Sequence, residues 1–242
     1  YFLLLATILI ASCKPGSKTN NRSEGKPVIT VTLEPLRYLT EAIAGDRFTV
    51  VSMVPKGTSP ETYDPTPQQL VELARSKAYF RIGYIGFEQT WTDKLTDNAP
   101  HLQFFDMSQG VDLIYDNTHV HHHAANEKEH QHAIGVEPHI WNSAVNAQII
   151  AGNILSALRN IDKGNEDFYL ERYNTLCRKI EHTDSLICHM LSAPNADRAF
   201  MIYHPALSYF ARDYGLHQIS IEEDGKEPSP SHLKNLIDTC KE

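Results

Sequence analysis

The sequence predicts an α/β protein of two parallel-sheet lobes bridged by a long helix. Three observations carry that prediction. Short apolar strands alternate with helices from Val28 to Met107, a run over about 166–191 holds neither proline nor glycine, and the alternation resumes beyond it at Ala199. Such alternation implies parallel sheets covered by helices on both faces.

The elements follow in chain order. "VITVTL" from Val28 reads as a strand and "PLRYLTEAIAG" as a helix stopped by Gly45. "FTVVSMV" is the next strand; after a loop, Thr66 and Pro67 supply an N-cap and a first-turn proline for "QQLVELARSKA". "AYFRIG", a helix over Phe87 to Asp97 and "LQFFDM" complete the series. Ser143 caps a helix over "AVNAQIIAGNILSALRNID". Phe168, Leu176, Ile180, Ile187 and Leu191 then recur at helical spacing. A helix over 166–191 reaches about 39 Å at 1.5 Å per residue, enough to bridge two lobes. "AFMIYH" is a strand, "PALSYFARDYG" a helix, "HQISI" a strand, and Ser229-Pro230 opens another helix. These assignments divide the chain into a first lobe at 28–141, a helical connection at 142–192 and a second lobe at 193–242. A parallel sheet of two strands is marginal by itself, so the second lobe is expected to be truncated.

The first twelve residues, "YFLLLATILIAS", are too few to span a bilayer, which takes roughly 20, and match the apolar part of a signal peptide. "Leu-Ile-Ala-Ser-Cys" resembles a bacterial lipobox and makes Cys13 the expected lipidation site, with polar residues up to Pro27 as a flexible tether. The formal charge of −8 and the scattered lysines and arginines exclude a nucleic-acid grip. If one helix carries Cys177 and Cys188, they stand about 16 Å apart along it, beyond disulfide reach. They are expected to be separate thiols.

Ligands of parallel α/β sheets lie beyond the carboxyl ends of the strands. Three candidate metal ligands fall there: Glu61 after "FTVVSMV", His139 after "LQFFDM" and His204 after "AFMIY". Prolines in "SPETYDP", "EPHIW" and "YHPAL" restrict the backbone beside each one, lowering the entropy lost when a metal orders the site. Two imidazoles and a carboxylate suit a borderline divalent ion such as zinc, with manganese or iron possible.

These motifs carry a resemblance that covers nearly the whole chain. The sequence resembles the metal-binding solute-binding lipoproteins of bacterial ABC importers, of the zinc-uptake ZnuA type. "SPETYDPTPQQL" is similar to that family's first-ligand loop, "EPHIW" to its second, and "YHPALSYFARDYGL" to its third-ligand strand and helix. The resemblance implies a rigid linking helix and a metal site in the cleft between the lobes. It also implies an ABC permease and its ATPase as partners, a lipid anchor on the periplasmic side of the cell envelope, and a monomer. At the family's usual first histidine this chain has Glu61, which weakens the case for zinc, whereas His204 favours zinc over manganese. The family's fourth ligand, when present, is an acidic residue beyond the end of this chain.

Seven of the 13 histidines lie between Thr118 and Trp141. The polar tract at 118–133, with His119, His121, His122, His123, His130 and His132, lacks apolar periodicity and is expected to be a mobile accessory loop. Ordering it for a metal costs about 1 to 2 kcal/mol per residue, whereas His139 borders ordered structure. The carrier reading therefore favours His139. A zinc hydrolase would need an open coordination position and a general base, and the chain has neither HExxH nor HxxEH. A metal-storage or adhesin lipoprotein would share fold and site, and sequence leaves that alternative open. A long bridging helix resists wide hinge closure, so release is expected through small movements that loosen one ligand loop.

Overall fold

The computed structural model describes residues 25–115, 135–222 and 227–239. Its first sheet has four parallel strands in the order β2-β1-β3-β4: β1 (Val28–Val31), β2 (Thr49–Ser52), β3 (Ala78–Arg81) and β4 (Gln103–Asp106). Helices α1 (Glu34–Ala44), α2 (Pro67–Ala74) and α3 (Gly86–Asn98) make the crossovers. Strand order reverses between β1 and β3, and the carboxyl ends there form the crevice where such sheets take ligands. Ile29, Val31, Tyr79 and Phe80 are fully buried at its centre, as expected of strands covered on both faces.

Local chemistry accounts for the helix limits. Thr66 accepts the Gln69 N–H while the Gln69 side chain returns to the Thr66 backbone, a complete capping box at α2. The sequence carries this helix on to Ala78, but it ends at Ala74. Arg75 and Ser76 donate to carbonyls only three residues back, and Lys77 N–H pairs with Val28 O, drawing the chain into β3. Ser143 caps α4 (Ala144–Ile161) by accepting the Asn146 N–H.

The long helix α5 runs from Glu166 to Leu191, the limits expected from the sequence. Its N-terminal half buries Tyr169 and Leu176. Its far half reaches α6 (Ser208–Tyr214), where the Tyr214 hydroxyl donates to Asp184 Oδ1 at 2.6 Å. The second sheet pairs β5 (Ala199–Ile202) with β6 (His217–Ser220) in parallel, and α7 (Pro230–Thr239) follows. The "PALSYFARDYG" helix begins only at Ser208. Ahead of it Ala206 N–H turns back to His204 O at 2.7 Å, and Leu207 N–H is taken by Gln218 Oε1 at 2.8 Å. Gly215, in the left-handed region at φ 62°, ends this helix, as its position in the sequence implies.

Tyr115 and Val136 form an antiparallel bridge, and Glu137 N–H donates to Ile114 O at 2.9 Å. The accessory histidines of the tract, Cys13 with its tether, and Cys240 lie outside the described residues. Cys177 and Cys188 are both free thiols. Among the described residues, no helix is long and apolar enough to cross a membrane.

Candidate metal centre

His139 follows the Glu137-Pro138 pair and leads into a single 3-10 turn at Ile140–Asn142, while His204 stands two residues past β5. The fold brings them together across 65 positions of sequence: their Nε2 atoms lie 3.2 Å apart and their ring centroids 4.9 Å apart. Two nitrogens bound about 2.05 Å from a tetrahedral ion are about 3.35 Å apart, so the pair needs little adjustment to share one cation.

Carboxylates hold the far side of each ring. Glu137 Oε1 bonds His139 Nδ1 and also accepts the His139 backbone N–H at 3.0 Å, while Glu222 Oε1 lies 2.6 Å from His204 Nδ1. A carboxylate draws the proton to Nδ1 and leaves the lone pair on Nε2, the tautomer that binds metal. At 3.2 Å the two Nε2 atoms are within hydrogen-bond distance, leaving room for one proton or one cation between the rings. The His139 side chain is 13% exposed and that of His204 50% exposed. Trp141 packs edge-on to His139 with centroids 5.2 Å apart.

A cavity of about 570 Å³ opens beside the pair, lined also by Leu33, Glu34, Lys56, Pro60, Glu61 and Trp141. Glu61 thus shares the cavity with both histidines, but its Oε2 accepts the Gly86 N–H at 3.0 Å. Among the described residues, no three His, Cys, Asp or Glu side chains are placed to hold a metal ion together. The structure therefore unites His139 with His204 and leaves Glu61 on the wall. The sequence reading misses the roles of Glu137 and Glu222. Glu137 stands inside the quoted "EPHIW", two residues from a candidate ligand, whereas Glu222 carries no local signal and is aimed only by the pairing of β6 with β5.

Beneath the crevice Glu88 is buried at the start of α3. It accepts Ile82 N–H at 2.8 Å as well as Gly83 N–H and the Thr32 hydroxyl, yet burial outweighs these donors and raises its pKa to about 7.

Residues 29–242 match the family model of the zinc-uptake complex component A, periplasmic (ZnuA). The chain belongs to the ZnuA family. A crystal structure of ZnuA superimposes with a TM-score of 0.77 at 35% identity, covering 89% of this chain and 78% of that one. A ZnuA deletion mutant with zinc bound superimposes with a TM-score of 0.76, also at 35% identity, covering 89% of this chain and 77% of that one. Among curated relatives, the manganese ABC transporter substrate-binding lipoprotein PsaA of Streptococcus mitis is 27% identical, covering 100% of this chain and 77% of its own length. The iron ABC transporter substrate-binding lipoprotein MtsA of Streptococcus pyogenes serotype M1 is 28% identical over 97% of this chain and 74% of its own. Family membership makes this ZnuA-family chain a substrate-binding component of a metal ABC transporter and not an enzyme.

Proposed function

We propose that the chain captures zinc outside the inner membrane and delivers it to an ABC permease driven by its ATPase. The facing Nε2 atoms of His139 and His204 at 3.2 Å, each ring backed by a carboxylate, are the observation that supports this most directly. Imidazole nitrogen favours zinc over the harder manganese ion. In this reading Glu61 completes the ligand set from 28–141, His204 comes from the second lobe at 193–242, and 142–192 connects them. His119, His121, His122, His123, His130 and His132 gather metal as weaker accessory ligands. Cys13 carries the lipid that holds a monomer at the periplasmic face of the cell envelope, in keeping with the lipoprotein relatives.

The second reading is manganese or iron as cargo, favoured by the oxygen donor that Glu61 brings and by the metals for which the relatives are named. Chelator-competition titrations with zinc and manganese separate the two. His139→Ala and His204→Ala should each lower zinc affinity by orders of magnitude, and Glu61→His should shift preference further toward zinc. Manganese bound as tightly as zinc by the unaltered protein would overturn the zinc assignment, and undiminished zinc binding by His204→Ala would overturn the site.

A further inference from the structure

The two halves of this site are held with different firmness. α6 and the turn before it bind the loops of His139 and His204 to each other across the lobes. The buried Tyr209 hydroxyl donates to Glu137 O at 2.8 Å and accepts the Ile114 N–H at 3.2 Å. Asn142 Nδ2 donates to Ala206 O at 2.9 Å, Arg212 Nη1 to Asp112 O at 2.7 Å, and the Ser143 hydroxyl to the Asp213 carboxylate. Drawing the lobes apart would break these bonds together, four of them partly buried and costly to leave unpaired.

The loop carrying Glu61 is built otherwise. It is exposed from Pro55 to Ser59 and turns through Gly57 at φ 79°. Beyond Glu61 it is anchored by Tyr63 packed on Phe87 and by Trp91 Nε1 donating to Asp64 Oδ1 at 3.2 Å. Up to Glu61 it leans on the body through the Lys56–Glu34 ion pair at 3.4 Å, Phe87 N–H on Pro60 O at 3.1 Å, and Gly86 N–H on Glu61 Oε2 at 3.0 Å. Exposed backbone with few buried contacts opens at low free energy. The last of these bonds depends on a glycine: a Cβ at Gly86 would stand 2.6 Å from Glu61 O and 2.7 Å from Oε2.

We propose that Glu61 is a two-position carboxylate and that its loop, rather than a separation of the lobes, opens and closes the metal site. One position is on the Gly86 amide; the other is on a cation held by His139 and His204. The amide belongs to the first residue of α3, where unpaired N–H groups carry partial positive charge, so the carboxylate is compensated in both positions. A cation on two imidazoles attracts it more strongly and draws it off the amide, and release runs the exchange backwards. This proposal rests on Glu61, His139 and His204 being the ligands.

The test exploits residue 86. Gly86→Pro removes the donor and crowds the docked carboxylate at a first-turn position that suits proline, because Ile85 before it is already extended at ψ 139°. Gly86→Ala keeps the donor and serves if the proline variant fails to fold; in both, the added Cβ meets the Glu61 carbonyl oxygen as well as its carboxylate and lifts the loop off α3. Both disfavour the amide-bound position, so zinc affinity by chelator competition should rise about tenfold, and adding Glu61→Ala should abolish the gain. In the unaltered protein, saturating zinc should move the Gly86 amide proton resonance upfield as its carboxylate partner leaves. Unchanged or weaker zinc binding in the residue 86 variants, or an unmoved Gly86 resonance, overturns the two-position mechanism even where Glu61→Ala alone weakens binding. If Glu61→Ala leaves zinc affinity unchanged in either background, Glu61 is no ligand, and the reading beneath the proposal falls with it.

Discussion

Removing the carboxylates behind the two imidazoles should weaken metal binding in a definite order. Glu137 Oε1 serves both Nδ1 and the backbone N–H of His139, whose side chain is 13% exposed, so water cannot readily replace it. His204 is 50% exposed, and water can take over much of what Glu222 does for its Nδ1. Carboxylate partners of metal-binding histidines are worth about 10- to 100-fold in affinity. Glu137→Ala should therefore approach a 100-fold loss, about 2.7 kcal/mol, and Glu222→Ala about tenfold, about 1.4 kcal/mol. Glu137→Gln separates geometry from charge, since an amide oxygen at the Oε1 position can accept both His139 bonds while the negative charge is lost. It should cost less than Glu137→Ala. Chelator competition with zinc measures all three, with thermal denaturation as a check on folding. A larger loss for Glu222→Ala than for Glu137→Ala in folded protein would refute the argument from solvent access.

Other expectations can be checked separately. Glu88, with its pKa raised from 4.5 to about 7, binds its proton more tightly folded than unfolded, so its contribution to stability is full below pH 4.5 and is lost as pH rises toward 7. The loss is about 3 kcal/mol, visible in denaturant titrations across that range, and Glu88→Gln should flatten this part of the curve. Excising 119–132 should leave one tight zinc equivalent and remove only weaker binding, because the Tyr115–Val136 bridge already brings the flanks together; calorimetry on both forms decides whether the tight site survives. Tyr209→Phe should cost about 1 to 3 kcal/mol in thermal denaturation, since Ile114 N–H loses its acceptor and Glu137 O its donor. Cys13→Ser should abolish lipid modification, and a lipid-modified serine variant in mass spectra of the membrane fraction would refute that assignment.

Particular residues show how far the sequence could be read. Strand periodicity, the Thr66 and Ser143 caps and the Gly45 and Gly215 stops are local signals, and each appears in the fold at its expected place. The limits of α5 were legible because 166–191 lacks helix breakers. The shorter α2 and α6 were not, because Lys77 and Leu207 leave their helices for partners on Val28 and Gln218, supplied by distant parts of the chain.

The same division runs through the site. By itself the sequence determined the α/β alternation, the helix that spans the lobes, and three candidate ligands beside prolines in loops that follow strands, because spacing and backbone restriction are properties of neighbouring residues. Only the tertiary structure decided that His139 and His204 face each other through Nε2 with Glu137 and Glu222 behind them, and that Glu61 rests on Gly86. Those outcomes depend on how two lobes pack and on which donor wins a given carboxylate. Both are settled by distances between side chains far apart in sequence, which no local pattern encodes.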